Sequence, residues 1–150
     1  MATFRSGVSS PLFAARRLGD FRVGETGELT RRFGPEQMAV FAELIGDNNP
    51  IHFDEEYAAT TRFGRCIVHG TLYSGLIGTV LGTVCPGPGT ILIAQEHRFH
   101  HPVYVGDDVS ANVEITEVDE KNGSIRLGLS CRNQEGITVL SGWALTRIAR

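Results

Sequence analysis

A chain of 150 residues, 41% of them hydrophobic, is long enough for one domain with a substantial core, and no internal repeat or low-complexity tract divides it. The net charge of −3 conceals a more acidic body: of the 14 basic residues Arg5, Arg16 and Arg17 fall in the acid-free stretch 1–19, leaving 14 − 3 = 11 against all 17 acids, a balance that argues against nucleic-acid binding. Three widely spaced cysteines, Cys66, Cys85 and Cys131, suit a reducing compartment better than a disulfide framework or zinc ribbon, and the longest apolar run, residues 76–84, is well short of the roughly 20 residues that cross a bilayer.

Taken in chain order, residues 1–19 (MATFRSGVSSPLFAARRLG) bear arginine and serine without acids or an apolar h-region. That is the composition of a mitochondrial transit segment, and equally of an unstructured N-terminus with scattered arginines. The body is then a single domain over residues 20–150. GELTRRF at 27–33 reads as a short strand, and Pro35 opens a helix over 35–45 on which Met38, Phe41, Ala42 and Ile45 recur at helical spacing. Gly46 breaks it, GDNNPIHF at 46–53 is a loop, and DEEYAATTRF at 54–63 restarts helix with three acids complementing the dipole.

From Gly70 the segment is apolar or small on every face, with Gly75, Gly78 and Gly82 spaced for close packing, which predicts a buried helix. CPGPGT at 85–90 ends it as a turn and lacks the Lys-Ser/Thr of a phosphate loop. Strands follow at 90–99, 108–118, 124–133 and 137–148, the alternation being clearest in Val109, Ala111, Val113, Ile115 and in Ile125, Leu127, Leu129, Cys131. Trp143 and the alternation around it read as sheet face and core. Helices first and antiparallel strands afterwards make an α+β domain, most simply a curved sheet wrapped around one buried helix.

Two stretches invite chemistry. Alone, Asp-Asn-Asn-Pro is turn chemistry, with Asx side chains capping backbone N–H groups and proline fixing φ. HRFHH, with His97, His100 and His101, invites a metal, but His97 and His100 fall on opposite faces of a strand and no carboxylate or cysteine completes a set, so no metal is assigned.

GDNNPIHFDEEYA also resembles the signature of the MaoC-like, or type 2, enoyl-thioester hydratases: Gly-Asp-x-Asn-Pro-aliphatic-His, then Ala or Ser after five residues. Gly46, Asp47, Asn49, Pro50, Ile51, His52 and Ala58 fill it, and FGRCIVHGTLYSGL resembles the second block of that family, where a Val-His-Gly turn opens the central helix of a hot-dog fold. With PGPGT and HPVYVGDDVSANVEI the resemblance spans roughly residues 20–150, and two motifs in the right order make it specific. Within the family it is closest to the eukaryotic mitochondrial 3-hydroxyacyl-thioester dehydratases of type 2.

The resemblance implies a single hot-dog domain, a homodimer joined edge to edge, and hydration of trans-2-enoyl thioesters, or dehydration of (3R)-hydroxyacyl thioesters, without a cofactor. It implies that Asp47 activates water, His52 moves the α-proton and the Gly70 N–H stabilises the thioester oxyanion, with Asn49 orienting the loop or the substrate. His69, beside Gly70, is expected to order the turn. Arg62 and Arg65, between the two blocks, are candidates for the phosphates of coenzyme A or of an acyl carrier protein, against a plain reading as solvated surface.

The sequence departs from the family pattern twice. Ile45 precedes the Gly-Asp pair where a small residue is common, and Gly78 stands where some members carry a serine that supports the histidine, leaving Ser74 or a water to replace it. Competing readings are a hot-dog thioesterase and a non-catalytic acyl-binding subunit; the paired Asp47 and His52 disfavour the first, and the intact set with Gly70 disfavours the second.

Overall fold

A computed structural model describes residues 16–149. Most of the proposed transit segment, residues 1–15, therefore lies outside the described residues. Arg16 is already fixed to the body: its guanidinium pairs with Glu25 at 2.7 Å and sits 4.1 Å over the Phe21 ring.

After a 3-10 turn at Leu18–Asp20, the elements are β1 (Thr26–Arg32), α1 (Pro35–Ile45), a second 3-10 turn (Pro50–His52), α2 (Glu55–Ala59), α3 (Gly70–Thr83), β2 (Thr90–Phe99), β3 (Asp108–Asp119), β4 (Ser124–Asn133) and β5 (Thr138–Ile148). The strands form one antiparallel sheet in the order β1-β3-β4-β5-β2, so β1 and β2 are its edges. The alternation read in β3 and β4 holds: Val109, Ala111, Val113, Ile115, Ile125, Leu127, Leu129 and Cys131 are all buried, facing α3 across the core. The register slips between Ile115 and Glu117, bending the sheet around the helix. All three cysteines are buried free thiols.

α1 starts as expected, with Pro35 in its first turn and the Gln37 amide oxygen accepting the Gly34 N–H at 2.9 Å. Only Met38 and Ala42 are buried, so α1 lies over the core edge and holds the loop that follows.

Two expectations need correction. The helix at 54–63 is one turn, Glu55–Ala59, because the hydroxyls of Thr60 and Thr61 bond back to the carbonyls of Tyr57 and Ala58 at 2.7 Å each and the chain turns at Gly64, φ +74°. α3 is buried on one side only: Tyr73, Leu76, Ile77, Val80 and Leu81 face the core, while Thr71, Gly75, Gly78, Thr79 and Thr83 are exposed. Its small face was read as packed, yet a Cβ added at Gly75, Gly78 or Gly82 would meet no atom within 4 Å. The alternation around Trp143 holds: Trp143 is on the outer face of the sheet, beneath the Arg126 guanidinium at 4.4 Å, and its neighbour Ala144 takes the core position.

Candidate active site

The loop after α1 is built by its own polar side chains. Gly46 ends the helix in the left-handed conformation, φ +80°, donating its N–H to the Ala42 carbonyl at 2.8 Å. The Asp47 carboxylate accepts the Asn49 N–H at 3.3 Å, and the Asn49 side-chain Oδ1 accepts the Ile51 N–H at 3.2 Å, capping the 3-10 turn that carries His52. Asn49 thus acts on the loop, and it does not line the cavity beside His52. The Asx-Pro turn and the reactive stretch are one object: turn chemistry sets the spacing of Asp47 and His52.

His52 is half buried, and its Nδ1 lies 2.7 Å from the Ile67 carbonyl. A carbonyl only accepts, so Nδ1 carries hydrogen and Nε2 is the nitrogen left for proton transfer. Burial pushes the His52 pKa below its ordinary value; the Ile67 carbonyl and the Asp47 carboxylate pull it up, and neighbouring His69 adds to the depression. With Gly78 where the resemblance leads one to expect a supporting serine, His52 is held here by the Ile67 main-chain carbonyl. Ser74 does not replace it, since its hydroxyl donates to the Thr71 carbonyl of its own helix at 3.3 Å.

Gly70 is the first residue of α3, where the N–H has no intrahelical acceptor and the dipole is positive. It opens onto a cavity of about 530 Å³ lined by His52, Arg62, Tyr73, Phe99 and Tyr104 among others. A Cβ at Gly70 would stand 3.0 Å from the Phe99 ring, so the absent side chain leaves the room in which a carbonyl meets this amide. His52 and Gly70 are thereby brought to one cavity from two chain segments, while Asp47 lies beside His52 and is not among the cavity's lining residues.

The two arginines separate. Arg62 lines the cavity and lies 4.8 Å over Phe63; Arg65 is outside the lining and stacks 3.9 Å over Tyr104 on the cavity wall. His100 is occupied by a hydrogen bond to the Ser141 hydroxyl at 2.7 Å.

His69 carries more than the sequence reading gave it. It is 1% exposed, its ring stacks on His52 with centroids 3.8 Å apart, and its Nε2 is 3.1 Å from the Asp47 carbonyl and 4.0 Å from the Asp47 carboxylate. Asp47, His52 and His69 place ligand-type atoms within 4.8 Å of one another. They do not form a convincing metal site: His52 Nδ1 and His69 Nε2 are held by carbonyls, and rings stacked at 28° aim their lone pairs side by side instead of at a common point. Sequence reasoning missed the Ile67 carbonyl altogether, because a main-chain acceptor leaves no residue-type signal.

A family profile described as "MaoC like domain" matches residues 20–130. The (R)-specific enoyl-CoA hydratase of Aeromonas caviae is 40% identical over 84% of this chain and 94% of its own length, and the 3-hydroxybutyryl-CoA dehydratase of Methylorubrum extorquens 40% identical over 87% and 83%. The mitochondrial 3-hydroxyacyl-[acyl-carrier-protein] dehydratase of Solanum lycopersicum is 31% identical over 82% of this chain and 74% of its own. In structure, the A. caviae (R)-hydratase superposes with a TM-score of 0.82, covering 85% of this chain and 97% of its own. An R-hydratase from Pseudomonas aeruginosa, 36% identical, superposes at 0.83 over 91% and 87%.

Proposed function

Since the chain belongs to the MaoC-like dehydratase family, we infer that it interconverts trans-2-enoyl and (3R)-3-hydroxyacyl thioesters as a hydro-lyase. The observation that carries this reading is that an imidazole with Nε2 unbonded and a helix-terminal glycine N–H line one cavity, with the Asp47 carboxylate beside that imidazole, ligand-type atoms of Asp47, His52 and His69 lying within 4.8 Å of one another. Hydration starts with Asp47 ionised and the pair's one transferable proton on His52 Nε2, the ring then being imidazolium. Asp47 takes a proton from water as the water oxygen attacks the β-carbon, Nε2 gives its proton to the α-carbon, and the Gly70 N–H holds the charge that develops on the thioester oxygen. Dehydration runs the same steps backwards. The pair carries one proton in either direction, so the enzyme is reset by proton exchange between the two groups.

Arg62, at the cavity, is the stronger candidate for a phosphate of the pantetheine carrier; Arg65, stacked on Tyr104, supports it from outside. Two copies are proposed to pair along β2, an edge strand whose Ile91, Leu92, Ile93 and Phe99 are exposed by 42–52%. Mitochondrial targeting by residues 1–19 is supported by their composition and by the names of the plant relatives. No described helix is long and apolar enough to cross a membrane.

The test is spectroscopic hydration of crotonyl thioesters of coenzyme A and of acyl carrier protein, with the product's configuration determined. An (R)-product supports the reading; an (S)-product or no hydration rejects it, and release of free crotonate would favour a thioesterase.

A further inference from the structure

Through its side chain His69 meets both Asp47 and His52, and it adjoins Gly70 in the chain. It is the residue immediately before Gly70 at the start of α3, its ring lies against His52, and its Nε2–H donates to the Asp47 carbonyl. It is nevertheless not working as a helix cap, because its side chain makes no capping bond to α3. Phe41 and Phe53 enclose the ring at centroid distances of 5.2 and 5.5 Å, and its Nδ1 is buried with no partner. Burying a polar ring with one nitrogen unmatched is unfavourable, and ordering a turn would not require it. What the imidazole supplies that an apolar side chain would lack is a single N–H aimed across 22 residues of sequence at the peptide of Asp47.

We infer that His69 is a positioning residue, which fixes the Asp47 peptide through its Nε2–H and so holds the carboxylate in register with His52 and the Gly70 N–H. The inference rests on the proposed hydratase activity. With its carbonyl tied to α3, the Asp47 peptide cannot rotate, and the carboxylate stays 4.0 Å from the same nitrogen. The loop's short-range bonds fix its local shape, and its other ties to the segment before α3, from His52 Nδ1 to the Ile67 carbonyl and from the Ile67 N–H to the Ile51 carbonyl, hold its far end, which leaves His69 as the tie at the Asp47 end. Misplacement of a reacting group by about 1 Å is enough to cost on the order of 10² in rate. His69 does not line the cavity, so substrate affinity should not depend on it.

The experiment measures kcat, KM and melting temperature for crotonyl-CoA hydration in the wild type and in His69→Phe, His69→Gln and His69→Asn. Phenylalanine keeps the aromatic face and removes the donor: kcat should fall by roughly 30-fold or more with KM within about threefold. Glutamine places an amide N–H near the position of Nε2 and should recover kcat to within about fivefold, whereas asparagine, one carbon shorter, should not. In an Asp47→Asn background, His69→Phe should add less than about threefold, because the two act as a unit.

A folded His69→Phe with kcat near wild type overturns the inference, as does an independent, multiplicative loss in the Asp47→Asn background. If His69→Phe fails to fold, the Gln and Asn pair decides: equal kcat in the two rejects the role. An active wild type beside active variants rejects this role alone, whereas a wild type that hydrates no enoyl thioester rejects the proposed function and this role with it.

Discussion

Replacing Gly70 by valine isolates a function assigned to a main-chain N–H. The variant keeps that N–H, and both Asp47 and His52 lie outside the atoms that a new Cβ would meet first. Those atoms are all in the Phe99 ring, at 3.0, 3.3 and 3.4 Å; that ring also meets the Tyr73 ring at 5.8 Å and lies on the edge proposed to pair, so oligomeric state is checked with melting temperature. The ring is a side chain and not backbone, and it can yield by a few tenths of an ångström. Folding should therefore survive, while the branched methyls occupy the space through which a thioester carbonyl approaches the amide. Loss of one oxyanion donor costs about 10² to 10³ in kcat, or ~2.7–4 kcal/mol of transition-state stabilisation, and the same loss is expected here. Gly82→Val is the control, since it lies on the same helix and a Cβ there meets nothing within 4 Å. Crotonyl-thioester hydration and melting temperature are measured for both. If the control loses as much specific activity with both proteins folded, Gly70 is a packing glycine and the oxyanion assignment is wrong.

Asp47→Asn and His52→Ala should each lower kcat by at least about a hundredfold without unfolding the chain, and the double variant should lose far less than the product of the two; unchanged turnover in either single variant removes it from the proton-transfer pair. His97 offers a pH prediction, because burial alone holds its pKa down and its Nε2 is buried without a partner. A depressed folded-state pKa means that the unfolded chain takes up the proton first, so this stability is present above about pH 6.5 and is lost as pH falls through the lower folded value. His97→Leu should accordingly narrow the difference in melting temperature between pH 7.5 and pH 5.5, and an unchanged difference would refute the assignment. Residues 1–19 fused to a fluorescent reporter should carry it into mitochondria, a cytosolic reporter removing the compartment proposal without touching the chemistry.

What could be read from the sequence, and what could not, divides along physical lines. Periodicity made β3 and β4 legible because one face of each meets α3 and the other meets water, so Val109 to Ile115 and Ile125 to Cys131 record burial directly. The same logic misread α3, because glycine and threonine are compatible with a packed face and with an open one; Gly75, Gly78 and Gly82 face open space in this chain. The end of α2 was hidden for a different reason: Thr60 and Thr61 stop it through hydroxyl bonds to the preceding turn, a choice that composition alone does not reveal.

At the site, side chains with rigid spacing were legible and main-chain partners were not. Gly46, Asn49 and Pro50 announced a stiff loop, and with it the approach of Asp47 to His52. Which nitrogen of His52 is free follows only from the Ile67 carbonyl, and that carbonyl arrives through the pairing of Ile67 with Tyr104 and of its N–H with the Ile51 carbonyl at 3.3 Å. Any residue at position 67 would offer the same oxygen. The tautomer on which proton transfer depends is thus a property of backbone path, set by how the segment before α3 crosses the loop after α1. His69 sits at that crossing, which is why a histidine that looked like turn filler in the sequence becomes, in three dimensions, the contact between the two halves of the site.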